Sequence, residues 1–324
     1  MTDTLADEIV RWDRETRAIL LSIKRLVKYF GTDEEYEWLV AALHEPEEYF
    51  EGILPAFRDS TWKQNITTVS IPPFTFERGT AKKINPLLVI LKEFFPDFIG
   101  WAREELEPAH FKAMARYCGG FFGNIDYAVS DLIWRRFPDL ALEGYPIGDR
   151  SLNSGEAQWS KYPRKVVNDT AKTLADEIVR WDNETRAILT SIKRLVEYFG
   201  TDEEYESLLT ALRNPEACFE SVLPAFRDPA SHAETSWDTS HKFKCERGIA
   251  EKITPLLQLL AEPVPEFVPW AREELENAHS SVVIRLYGAF VASAFEHIYD
   301  PVWRSFPDLA PEGYPLKPDW PSGD

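Results

Sequence analysis

Residues 4–37, TLADEIVRWDRETRAILLSIKRLVKYFGTDEEYE, place apolar side chains at Leu5, Ile9, Trp12, Ile19, Leu20, Ile23, Leu26, Val27 and Phe30. Steps of three and four gather these on one stripe of a helix. Arg11, Arg14, Arg17, Lys24 and Arg25 fall mostly off that stripe. Gly31, just past the last apolar position, predicts a left-handed C-terminal cap. Thr32-Asp33-Glu34-Glu35 then reads as a capping box opening a second helix, with Tyr36, Leu39, Val40 and Leu43 on its buried side.

The same grammar runs on. Glu45-Pro46, Asn85-Pro86, Asn214-Pro215 and Thr254-Pro255 each predict a helix start, a cap followed by proline in the first turn. Pro96 predicts another, carrying Phe98, Trp101 and Leu106. Residues 109–136 predict one or two helices with a break near Gly119-Gly120. The stretch NITTVSIPPFTF, 65–76, alternates only briefly and holds two prolines, so it reads as a loop or a minor hairpin. The expectation is an all-α fold of about seven helices per arm.

There are two arms because the pattern returns. Residues 173–206 read TLADEIVRWDNETRAILTSIKRLVEYFGTDEEYE, and a shift of 169 keeps register almost to the end. WAREELE at 101–107 recurs at 270–276, and FPDLALEGYP at 137–146 recurs as FPDLAPEGYP at 306–315. The period is domain-sized and far too long for a solenoid unit. It predicts two tandem homologous helical-bundle domains from an internal duplication: residues 1–149, a polar linker at 150–172, and 173–324. Residues 4–60 match their counterparts at about three positions in four, residues 61–76 hardly at all, and residues 111–133 at four positions.

Charge narrows the function. The chain of 324 residues carries a formal net charge of −18, and both halves are negative. Such a surface repels phosphate backbones, which argues against double-stranded nucleic acid, and it favours a basic protein partner. The three cysteines, Cys118, Cys218 and Cys245, stand opposite Tyr287, Tyr49 and Phe76 in the other copy. An odd, low count without metal-type spacing suits a reducing compartment. The N-terminus lacks the basic and apolar regions of a signal peptide, and no apolar run approaches the length of a membrane span. The expected location is cytoplasmic.

Two candidate sites share their histidines. Arg103-Glu104-Glu105-Leu106-Glu107-Pro108-Ala109-His110 has its counterpart in Arg272 through His279. An Arg, six residues and a His in an all-helical domain resembles the HEPN ribonucleases. In that family two domains pair so that an Arg and a His from each build one RNA-cleaving cleft. The resemblance implies His110 and His279 as general acid or base and Arg103 and Arg272 as phosphate holders. Glu107 with His110, and Glu276 with His279, also form two E-x-x-H pairs. Bundle di-metal sites use two such pairs plus one Glu from each of two further helices. Pro108 inside the first pair and the absence of a Glu on an apolar stripe speak against the metal reading.

No phosphate-binding, dinucleotide-binding or nucleophile-elbow motif is present, and no cofactor is expected. RYCGGFFG, 116–123, is apolar and reads as close helix packing. The recurring Trp12, Trp101 and Trp134 sit at helical core positions. The leading expectation is therefore a non-enzymatic, acidic, bivalent protein-binding module, an adaptor or inhibitor of a basic partner. Joining two binding faces raises avidity without new contacts.

Overall fold

The computed structural model describes residues 5–66, 74–143, 145, 174–227, 241–261, 270–273, 275 and 277–314. The chain divides into two compact units, Met1–Thr170 and Ala171–Asp324. The described residues are overwhelmingly helical and contain no strand, so the fold is all-α. Residues 67–73 of the weakly alternating stretch lie outside the described residues.

Unit 1 contains α1 (Leu5–Phe30), α2 (Asp33–Glu51), α3 (Ile53–Arg58), α4 (Arg78–Glu105) and α5 (Pro108–Ile125). A π-helical turn, Asp126–Ser130, leads into α6 (Asp131–Arg136) and a 3-10 turn at Pro138–Leu140. Unit 2 contains α7 (Leu174–Phe199), α8 (Asp202–Arg227), α9 (Arg247–Ala261), α10 (Asn277–Ala294), a π turn at Phe295–Tyr299, α11 (Asp300–Ser305) and a 3-10 turn at Pro307–Leu309.

The apolar stripe of α1 faces inward as its spacing requires. Ile9, Ile19, Ile23 and Val27 are fully buried, as are Trp38, Leu39 and Phe50 of α2 and Ile84 and Ile90 of α4, and α1 packs against both helices. Trp12 stacks on Phe98 with ring centroids 4.1 Å apart and planes 7° apart. Burying a side chain of this size stabilises a fold by about 2 kcal/mol. The corresponding stripe of α7 buries Ile188, Ile192, Leu195 and Val196.

Several local expectations are corrected. Gly31 has no positive φ, because the only positive-φ glycine described is Gly313. Its role is steric: a Cβ there would lie 2.6 Å from the Val27 carbonyl oxygen and 2.8 Å from Glu35 Oε2. The prolines do not open helices. Pro46 lies inside α2, Pro86 and Pro96 inside α4, Pro215 inside α8 and Pro255 inside α9. An interior proline costs about 3 kcal/mol in an isolated helix. Burial on either side outweighs that here: Pro46 itself is buried, as are Leu87 and Leu88 after Pro86 and Leu256 and Leu257 after Pro255. The Gly119-Gly120 pair does not break α5. The irregularity falls later, in the π turn.

The helices of unit 1 approach closely where glycines meet tyrosines. A Cβ on Gly52 would lie 2.4 Å from the Tyr117 ring, and one on Gly120 would lie 2.3 Å from the Tyr49 ring. These two interlocks hold α2 and the start of α3 against α5. The Tyr117 hydroxyl also accepts the Gln64 backbone N–H at 2.8 Å, fastening the segment after α3. The 169-residue register sets Ser221, Leu286, Ala289 and Cys218 opposite Gly52, Tyr117, Gly120 and Tyr49.

The helical run His279–Ser305 has the length and mean hydropathy, 1.2, to cross a membrane, and 44% of that window is buried inside the protein. Val283, Leu286, Phe290, Ile298, Val302 and Trp303 form its buried side, as in a core helix. Val, Ile, Leu, Phe and Ala raise the average of this run while Arg285, Tyr287, Gly288 and Ser293 interrupt it, so it holds no unbroken apolar stretch of membrane-span length.

Candidate functional sites

Arg103 and His110 belong to different helices. Arg103 is exposed in the last turn of α4, and its guanidinium carbon lies 5.7 Å from the centre of the Phe111 ring. α4 ends at Glu105, Leu106 caps it in extended conformation, and α5 starts at Pro108. His110 is half-buried in the first turn of α5. Its neighbour is Asp59, whose carboxyl is held below its ordinary range chiefly by the Thr61 hydroxyl and backbone N–H, with His110 adding to the effect. Those two Thr61 bonds measure 2.7 and 2.9 Å.

In unit 2, Arg272 is exposed and His279 is half-buried in the first turn of α10. The motif therefore straddles a helix break in unit 1, and each Arg–His pair is described within its own unit.

Glu107 is the exposed N-cap residue of α5, with φ −56° and ψ 144°, and makes no side-chain capping bond. Glu107 and His110 stand at the N-cap and the third position of α5. Glu276 lies outside the described residues. Among the described residues no group of three or more His, Cys, Asp or Glu is placed to hold a metal ion.

The cysteines are poor nucleophiles. Cys118 and Cys218 are buried. Burial drives the Cys118 thiol far above its ordinary value. Cys245 is partly buried, and burial together with the nearby Glu204 carboxylate pushes its thiol up to about 12.

The capping-box acids carry a structural job that sequence reading missed. The Thr32–Glu35 box forms as expected: Glu35 N–H donates to Thr32 Oγ1 at 3.2 Å and Thr32 N–H donates to Glu35 Oε2 at 2.8 Å. The same carboxylate, only 2% exposed, also accepts the Glu77 N–H at 2.7 Å and the Thr80 hydroxyl at 3.1 Å. It thus caps α2 and the start of α4 together. Glu204 repeats this with the Glu246 N–H at 2.7 Å and the Thr201 N–H at 2.8 Å.

The remaining acids beside those caps are free. Asp33, Glu34 and Glu37 are exposed, as are Asp202, Glu203 and Glu206, and none of the six forms an ion pair among the described residues. Several acids elsewhere are paired internally. Lys24 pairs with Glu47 at 2.6 Å and Lys193 with Glu216 at 2.5 Å. Arg17 bridges Asp13 and Glu51, and Arg186 bridges Asp182 and Glu220. Acidic side chains in a first helical turn also complement the helix dipole. Each unit thus gathers three unpaired acids at one helix start.

A second cluster closes the C-terminal end of each unit. In unit 1, Lys92 Nζ bonds Asp126 Oδ1 at 2.9 Å and lies 3.9 Å from the centre of the Tyr145 ring and 4.9 Å from that of Trp134. The Tyr145 hydroxyl donates to Asp126 Oδ2 at 3.1 Å. Unit 2 replaces Lys92 and Asp126 by Ala261 and Phe295, and Phe295 stacks on Tyr314 at 5.6 Å. One corner is closed by a salt bridge over aromatic rings, the other by a third ring. No known protein family, curated protein or solved structure matches the chain.

Proposed function

We propose that the chain is an internal duplication of one helical-bundle domain and acts as a bivalent, acidic, protein-binding module for a basic partner in the cytoplasm. Support for the duplication comes from matched geometry 169 positions apart. Arg78 grips Asp139 with two bonds of 3.1 and 2.5 Å, and Arg247 grips Asp308 with two bonds of the same lengths. The Glu35 and Glu204 carboxylates cap the same pair of helix starts at the same 2.7 Å.

The observation that carries the binding reading is the triad of unpaired, exposed acids at each of two helix starts: Asp33, Glu34, Glu37 and Asp202, Glu203, Glu206. Exposed charge with no internal partner is available to a partner's Lys and Arg side chains. Two such patches on one chain raise avidity for any partner offering two basic segments.

The test is calorimetric titration of a soluble Lys/Arg-rich synthetic peptide into the full chain. The reading predicts two peptides bound per chain, binding that weakens steeply with salt, and one peptide bound after Asp33, Glu34 and Glu37 are all changed to Lys. A hexasubstituted chain that binds the peptide as the wild type does contradicts it.

A further inference from the structure

One difference between the units concerns a buried hydrogen-bonding group. In unit 1 the Trp134 indole N–H donates to Asn85 Oδ1 at 2.7 Å, and Asn85 Nδ2 donates to the Leu140 carbonyl at 2.9 Å. The Asn85 carboxamide therefore stitches α4 to α6 and to the 3-10 turn. Unit 2 keeps the frame. The Arg247–Asp308 pair repeats the Arg78–Asp139 bond lengths. The Trp303 and Tyr314 rings meet at 4.6 Å and 76°, against 4.5 Å and 72° for Trp134 and Tyr145. In the 169-residue register Thr254 takes the place of Asn85 in the sequence. Its side chain stops at the hydroxyl and lacks the reach of a carboxamide. Trp303 Nε1 and Thr254 Oγ1 are both buried without a hydrogen-bond partner, in residues 2% and 6% exposed.

A buried donor or hydroxyl without a partner carries the full cost of its lost hydration. Native proteins resolve such pairs with a guest that has two to four polar partners. We propose that unit 2 holds one internal water between Trp303, Thr254 and the Leu309 carbonyl, doing there what the Asn85 carboxamide does in unit 1. The chemistry selects the guest. The indole N–H needs an acceptor, which excludes ammonium and metal cations. The carbonyl needs a donor, which excludes halide. A water accepts from Trp303, donates to Leu309 and shares a bond with the Thr254 hydroxyl, giving three partners. The correspondence of Leu309 with Leu140, and the placing of Thr254 beside Trp303, rest on the proposed duplication. The burial and missing partners of the Trp303 and Thr254 atoms do not.

The experiment uses the full chain labelled with 15N at tryptophan, with the Trp303 indole signal identified from Trp303→Phe. The proposal expects a water cross-peak at the Trp303 indole proton and none at Trp134. Thr254→Asn removes that cross-peak and raises the unfolding midpoint by about 3 °C. Thr254→Val keeps the volume, deletes the hydroxyl and weakens the cross-peak. Absence of a water cross-peak at Trp303 in the folded wild type overturns the proposal, as does its persistence in Thr254→Asn. Neither result depends on whether basic peptides bind.

Discussion

Glu35 accepts the backbone N–H of Glu77 at 2.7 Å, across 42 positions of sequence. One carboxylate thereby terminates two helices, with the Thr80 hydroxyl and Thr32 N–H filling its remaining acceptor sites. Removing it strands donors at both helix starts. Glu35→Ala is expected to destabilise unit 1 by about 3 kcal/mol. Hydrogen exchange at the Glu77 amide should rise ahead of exchange at the α1 core amides. Equal protection of the Glu77 amide in wild type and variant would refute this role.

The acid side of stability follows from the same groups. Burial raises the Glu204 carboxyl, but its bonds from the Glu246 and Thr201 N–H groups and the Thr201 hydroxyl outweigh that and leave it below its ordinary 4.5. Asp139 and Asp308 are held below 3.8, chiefly by hydrogen bonds from Arg78 and Arg247. A carboxyl lowered by folding contributes stability above its unfolded value, and that contribution is lost as pH falls through the folded value. Urea unfolding midpoints should therefore be level near neutrality and fall below about pH 4. Glu204→Gln should flatten part of that fall. An unchanged acid limb in the variant counts against the assignment.

Tyr49 and Gly120 meet closely where α2 packs on α5. Gly120→Ala drives a methyl into the Tyr49 ring. Overpacking of this kind costs about 1–3 kcal/mol. The 169-residue register sets Cys218 and Ala289 opposite Tyr49 and Gly120. Tyr49→Cys added to Gly120→Ala should recover part of the loss, giving a coupling of about 1 kcal/mol in a double-mutant cycle. Strict additivity would mean the ring and the glycine do not share the site.

A comparable cycle applies to Lys92 and Asp126. Lys92→Ala removes a bond to Asp126 and two cation–aromatic contacts. The expected loss is about 1 kcal/mol. Lys92→Ala with Asp126→Phe reproduces the unit 2 corner and should restore stability, read from thermal unfolding. A double variant less stable than either single one would contradict the exchange.

Much of this was legible in the sequence, and what was not has a common cause. Helix α1, helix α7 and the Thr32–Glu35 box are local features: apolar residues at every third or fourth place and a cap three residues from its partner. The prolines misled because Pro46, Pro86 and Pro255 were read by local propensity, whereas burial of Leu87, Leu88 and Leu257 around them decides the outcome. Asn85 misled in the same way. It reads as a helix cap before proline, yet its carboxamide reaches Trp134, 49 positions away. The second use of Glu35 had no local signal at all, because Glu77 is reached only once α4 is docked.

The candidate sites show the same divide. Arg103 and His110 are eight letters of contiguous sequence, but a helix ends between them, and Arg103 lies over Phe111. The HEPN resemblance makes a clear demand: RNA cleavage by wild type that His110→Ala with His279→Ala abolishes. The binding account predicts no cleavage by either protein and the same peptide affinity in both. A loss of peptide binding in the double variant would place the histidines in the interface.

The most direct measurement of bivalency is the release rate of the full chain from surfaces carrying the Lys/Arg-rich peptide at low and high density. The account predicts release at least tenfold slower at high density for the wild type. It predicts density-independent release once either Asp33, Glu34 and Glu37 or Asp202, Glu203 and Glu206 are charge-reversed. Release from the wild type that is the same at both densities would contradict the claim that each arm presents its own acidic face.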